Sequence, residues 1–142
     1  MRSDTISTVI RLHLVRFQQG IKLAARLCYS PEDPYAVHLA FSTGKGEPVN
    51  WMVARDLLSD GTWRRAGLGD VTVWPSAGSA AGAPGGVLNI ELSSPYGQAH
   101  FEAAVKEVSN FLRRTYEAVP AGEESAYLDA ELTSLAASLA SE

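Results

Sequence analysis

Few side chains in this chain are of types that do chemistry, so their spacing decides whether they can act together. The histidines are His13, His38 and His100, and the one thiol is Cys28. A zinc site needs three or four convergent ligands, and neither the histidines nor Cys28 stand at metal-ligand spacing from one another. His13 and His38 fall on the more polar faces of their segments and read as surface or internally satisfied imidazoles. Cys28 could act as a nucleophile only with a histidine and an orienting group beside it. It lies in a plain strand-like run, with no helix N-terminus to lower its pKa, and reads as a small core residue. Gly44-Lys45-Gly46 lacks the spacing and the following Ser/Thr of a phosphate-binding loop, and it falls between two strands. The glycines between 78 and 86 fail for the same reason. No carboxylate pair brackets a cleft that the sequence reveals. The expectation is a protein that is not an enzyme, with no metal and no cofactor.

One cluster mixes cations with an aromatic ring: Trp63-Arg64-Arg65. Three readings compete for it. Single-strand nucleic-acid binders need a basic groove lined by several stacking rings, and one cluster is a weak sign of that. A turn with solvated arginines is the plain alternative. A protein contact is the third, because Trp and Arg are enriched where interfaces concentrate their energy. We expect a partner-binding surface at Leu58, Trp63, Arg64, Arg65 and Leu68, on a loop punctuated by Gly61, Gly67 and Gly69. The competing reading folds Trp63 and Leu68 back over a sheet edge.

The elements that must position these groups follow from periodicity. Residues 6–16 alternate, with Ile6, Thr8, Ile10, Leu12 and Leu14 on one face. Gln18-Gln19-Gly20 reads as a turn. Ile21, Leu23, Ala25, Leu27 and Tyr29 then share a face, and a breaker-rich turn follows over 30–34. Tyr35, Val37, Leu39, Phe41 and Thr43 mark a third strand. After the turn at 44–46, Val49, Trp51 and Val53 mark a fourth. Arg55-Asp56-Leu57-Leu58 reads as one helical turn, with Gly61 placed to end it in a left-handed conformation. Residues 71–76 and 87–93 are two further strands around a Gly/Ala loop at 77–86. From Ser94 and Pro95, suited to a helix start, Phe101, Val105, Val108, Leu112, Tyr116 and Val119 recur at steps of three and four. That spacing predicts a helix over 95–118. A second helix over 125–139 aligns Leu128, Leu132, Leu135 and Leu139. Strands first and helices last argue for one α+β domain across 1–142: a twisted antiparallel sheet of about six or more strands, with two C-terminal helices.

The chain of 142 residues is 46% hydrophobic, enough for a core without metal or disulfide. Its net charge is −4, and no basic residue follows Arg114, whereas six acidic residues do. Neutralising a phosphate backbone needs cations, so nucleic acid is not expected as the main ligand. The first seventeen residues carry Asp4, Arg11, His13 and Arg16, which break any apolar core of a secretion signal. No apolar run is long enough to span a bilayer, which takes about 20 residues. A cytoplasmic protein without direct membrane insertion is expected.

Several segments in one order resemble the SsgA-like protein family of actinobacteria, closest to its SsgB branch. They are Asp33-Pro34-Tyr35-Ala36-Val37, Trp51 followed by Arg55-Asp56-Leu57-Leu58 and Gly61, Gly69-Asp70-Val71, and Val73-Trp74-Pro75. Phe111-Leu112-Arg113-Arg114-Thr115, Val119-Pro120 with Gly122-Glu123, and Leu128-Asp129-Ala130-Glu131-Leu132 complete the set. The match runs from about Tyr29 to Leu139. The resemblance implies a Whirly-like fold that forms a homotrimer. It implies a non-enzymatic adaptor for septum-site selection in cell division and sporulation, which recruits or positions the tubulin-like division protein FtsZ. Other SsgA-like or septal proteins would be further partners, and the site of action would be the division septum. The runner-up is a Whirly-like single-stranded nucleic-acid binder.

Overall fold

The computed structural model of the chain describes residues 5–16, 19–42, 47–77, 85–126, 137 and 139. The described strands form one antiparallel sheet of eight, and it curls around its helices. In chain order they are β1 (Ile6–Arg16), β2 (Gln19–Tyr29), β3 (Ala36–Phe41), β4 (Val49–Ala54), β5 (Ala66–Leu68), β6 (Val71–Ser76), β7 (Val87–Ser94) and β8 (Gly97–Ala104). Their order across the sheet is β4-β3-β2-β1-β8-β7-β6-β5. Helix α1 (Arg55–Gly61) follows β4 directly, and α2 (Val105–Ala118) follows β8. The α+β class and the antiparallel pairing are as the periodicity demanded.

Alternation places the core. Ile10 and Leu12 of β1, Ala25, Leu27 and Tyr29 of β2, and Val37, Leu39 and Phe41 of β3 are buried on one face. Val73, Leu88, Ile90 and Phe101 continue that face across the other half. Val108, Phe111 and Leu112 of α2, with Leu57 and Leu58 of α1, pack against it. A strand pleat sends every second side chain to this face, and a helix of 3.6 residues per turn can meet it with one stripe.

Four expectations change. The span 97–104 is strand β8, not the start of the helix, which begins at Val105. Phe101 fits both a period-two and a helical phase, and the strand phase prevails because β8 pairs with β7 along its whole length. Ser94 and Pro95 thus belong to a tight hairpin: Ser94 faces Gly97 across the ladder, and the Tyr96 N–H donates to Ser94 Oγ at 3.1 Å. Gly97 there has φ of 143°, which a Cβ disfavours. Second, residues 66–68 form β5, too short and glycine-bearing to show alternation. Third, Gln19 and Gly20, expected in a turn, belong to the sheet: β2 begins at Gln19, opposite Arg16, and Gly20 faces Val15. Fourth, Gly61 does not end α1 by a left-handed turn. It is the buried last residue of the helix, in right-handed conformation, where a Cβ would stand 2.5 Å from Val73 Cγ2. Its role is close approach of α1 to β6.

Gln18, residues 44–46 and 78–84 from expected turns, and Thr43 of the third expected strand lie outside the described residues, as do Leu128, Leu132 and Leu135 of the second expected helix. Residues 124–126, 137 and 139 are helical.

Candidate functional site

The stretch from Arg55 to Leu68 joins a buried anchor to an exposed surface. Arg55 opens α1 and is only 1% exposed. Its Nη1 donates to the carbonyls of Thr115 (3.1 Å) and Val119 (2.7 Å), near the C-terminus of α2. Its Nη2 pairs with Glu124 Oε2 at 2.9 Å. The guanidinium lies 4.0 Å from the centre of the Tyr116 ring and 5.0 Å from that of Tyr29. A buried cation costs several kcal/mol in lost hydration unless paired, and here a carboxylate, two helix-end carbonyls and two π faces offset that loss. Nε is the one nitrogen of this guanidinium group without a hydrogen-bond partner among the described residues.

The neighbours of Arg55 are themselves constrained. Backbone N–H groups, its own first, together with the Arg55 guanidinium, hold the Glu124 carboxyl below the usual carboxylate range despite burial. One of these, the Gly122 N–H, donates to Glu124 Oε1 at 2.9 Å. The Tyr116 hydroxyl donates to Asp56 Oδ1 at 2.8 Å. Burial first, and then that carboxylate, push the Tyr116 pKa up to about 12. The group therefore pins the first turn of α1 to the end of α2 and to the segment beginning at Glu124.

Past α1 the environment reverses. Trp63 is 67% exposed and Leu68 is 65% exposed. Arg64 pairs with Asp60 at 2.7 Å, one helical turn back, and its guanidinium lies 5.1 Å from the Trp63 ring centre. Arg65 lies 4.7 Å from the Trp74 ring centre, with no carboxylate at ion-pair distance among the described residues. Trp74 packs in turn on His100, with ring centres 5.1 Å apart. The His100 ring nitrogen Nε2 is 2.8 Å from Asn89 Oδ1, and Asn89 Nδ2 donates to the Trp74 carbonyl and to Ser76 Oγ. Arg64 spends Nη2 on Asp60 and Nη1 on the Arg65 carbonyl at 3.4 Å, whereas Arg65 rests on an aromatic face that leaves its donors open to a partner.

Four of the five expected surface residues, Trp63, Arg64, Arg65 and Leu68, are exposed, but Leu68 pairs with Val71 and so stands on the core-side face of β5, opposite the face on which Arg65 covers Trp74. Trp63 and Leu68 do not fold back over the sheet. Leu58 is the exception: it is buried on the core face of α1 and leaves the set, because the helix turns it toward the sheet with Leu57. Trp74 was missed. Its signal was available, since Val71 and Val73 face inward and the next residue of a strand must face outward.

The remaining reactive types are scattered. Cys28 is half-buried on the face opposite Leu27, rather than in the core. His38 is exposed and 3.3 Å from Asp33 Oδ2. His13 is buried instead of on a polar surface. Its Nδ1, and Oε1 of its cross-strand neighbour Glu102, lack hydrogen-bond partners among the described residues. Among the described residues no three His, Cys, Asp or Glu side chains are grouped to hold a metal, and no helix is long and apolar enough to cross a membrane.

Comparison with known proteins gives a consistent result. A family model described as Streptomyces sporulation and cell division protein, SsgA, matches residues 23–124. The sporulation-specific cell division protein SsgB of Thermobifida fusca (strain YX) is 52% identical over 109 residues, covering 77% of this chain and 76% of that protein. Its counterpart in Streptomyces coelicolor is 44% identical over 128 residues, covering 89% and 90%. The crystal structure of the SsgA-like sporulation-specific cell division protein from Thermobifida fusca YX-ER1 superposes with a TM-score of 0.83 at 45% identity, over 94% of this chain and 95% of that one.

Proposed function

The chain belongs to the SsgA family of sporulation and cell division proteins, and from that premise we propose that it is a non-enzymatic adaptor for septum-site selection. In this reading it recruits or positions FtsZ at the division septum, through the surface of Trp63, Arg64, Arg65 and Leu68, to which we add Trp74. The observation that carries the reading is the exposure of a tryptophan beside two arginines that lie over aromatic faces, with an exposed leucine three residues further on at the sheet edge. Large apolar side chains in water cost free energy that a partner recovers by covering them, and guanidinium groups give the contact direction. The relatives are named for cell division in sporulation, which is consistent with a protein that acts through other proteins.

The adaptor assembles as a homotrimer in this reading, which light scattering at micromolar concentration tests: three times the 15.2 kDa chain mass is expected, and a clean monomer contradicts it. The functional test is the position of a fluorescent FtsZ fusion in sporulating cells. Loss of this protein should leave FtsZ without its regular placement. Unchanged FtsZ placement in its absence would refute the adaptor role.

A further inference from the structure

The surface above lies at the β5 end of the sheet, and the opposite edge has a different character. β4 is the terminal strand there, with no further strand beside it among the described residues. It has six residues, Val-Asn-Trp-Met-Val-Ala, with neither a charge nor a proline, and it pairs with β3 in unbroken register over all six. Exposed edges normally carry charges, prolines, bulges or very short strands, because a row of free N–H and C=O groups is a template for another strand. β4 has none of these protections, whereas β5 is three residues long.

A second observation lies on the inner side of the same strand. Val49 and Trp51 of β4 form one wall of an apolar cavity of about 320 Å³, completed by Leu14, Phe41 and Phe101 and rimmed by the hairpin tip at Tyr96. Tyr96 is 99% exposed, and Met52 is 61% exposed on the other face of β4. Among the described residues no charged side chain lines this cavity. Successive side chains of a strand laid along β4 would point alternately into the cavity and toward the Met52 side.

We propose that the β4 edge is a docking site for an extended, uncharged, apolar segment of a partner protein, added as a ninth strand whose inward side chains fill the cavity. The absence of charge selects the occupant: a charged side chain entering there would lose its hydration and find no counter-charge. Main-chain hydrogen bonds would supply affinity and the cavity would supply selectivity, as in other cases of strand addition. This site is independent of the Trp63 surface.

The test uses the full chain, isotope-labelled and followed by NMR, with a capped synthetic hexapeptide of alternating threonine and leucine as the probe. Saturable shifts are expected at the amides of 49–54 and at the Trp51 indole. The same peptide N-methylated at alternate residues on the edge-facing side keeps its side chains but loses those hydrogen bonds, and should bind about tenfold more weakly or worse. Val49→Lys, which places an ammonium at the cavity, should abolish binding; if that variant fails to fold, the N-methyl comparison on the unaltered chain still decides. Equal binding of both peptides, shifts confined to 63–68, or no saturable shift would each overturn the proposal. So would concentration-dependent shifts of the β4 amides without peptide, since they would make a second copy of this chain the occupant.

Discussion

Arg55 at the start of α1 and Arg64 and Arg65 just beyond its end are one residue type in one short stretch, and they meet opposite environments. Arg55 is enclosed and spends its Nη donors on carbonyls and Glu124 of its own chain. Arg64 and Arg65 lie over tryptophan rings at the surface, and one of them has no carboxylate partner among the described residues. A guanidinium taken out of water must be matched, so it dictates the geometry around it. One left in water contributes little to stability and remains available to a partner. Stability is thus concentrated at one end of a single short helix and, in the proposed function, recognition at the other, and that division can be tested position by position.

The largest effect is expected at the anchor. Arg55→Ala leaves Glu124 buried without its partner and should cost about 3–5 kcal/mol in urea unfolding. A loss below about 1 kcal/mol, the level of an exposed pair, would erase the contrast. The same pair predicts acid sensitivity. Because the folded-state pKa of Glu124 is lowered from 4.5, its contribution is present above that value and disappears as pH falls through the folded value. A pH series of unfolding midpoints should show this loss, and Glu124→Gln should flatten it.

Gly61→Ala comes next, at about 1–3 kcal/mol, because its Cβ would meet Val73. Adding Val73→Ala should make the cost of the Gly61 change smaller, which a double-mutant cycle measures. Tyr116→Phe removes the bond to Asp56 and should cost about 0.5–1.5 kcal/mol. Since the Tyr116 pKa is raised from 10.0 to about 12, its contribution is full below pH 10 and is lost toward pH 12. The phenylalanine variant should lack that alkaline decline. The smallest effects belong to Trp63→Ala and Leu68→Ala, each expected within about 0.5 kcal/mol of the unaltered chain by thermal unfolding.

How much of this was legible in the sequence differs between sheet and site. The strands with clean alternation, such as β1 to β3, were legible because the pleat ties position to burial. β8 was not, since Ala99, Phe101 and Ala103 satisfy a strand while Phe101 and Val105 also satisfy a helix. β5 was too short to show a period. Trp63, Arg64 and Arg65 were legible as a cluster of interface-type residues, but the burial of Leu58 depended on the direction in which α1 meets the sheet. Nothing local marks Arg55 as buried: its partners Thr115, Val119 and Glu124 lie sixty or more positions away, so only the closed fold brings them together.

If 63–68 serves recognition and not folding, the double change Arg64→Glu, Arg65→Glu will separate the two. Repulsion from Asp60 should cost no more than about 0.5 kcal/mol, so unfolding midpoint and oligomer size should stay essentially unchanged. Placement of fluorescent FtsZ in sporulating cells that carry this variant should fail as it does in cells lacking the protein. Normal placement of FtsZ by a folded variant would contradict the assignment of this surface.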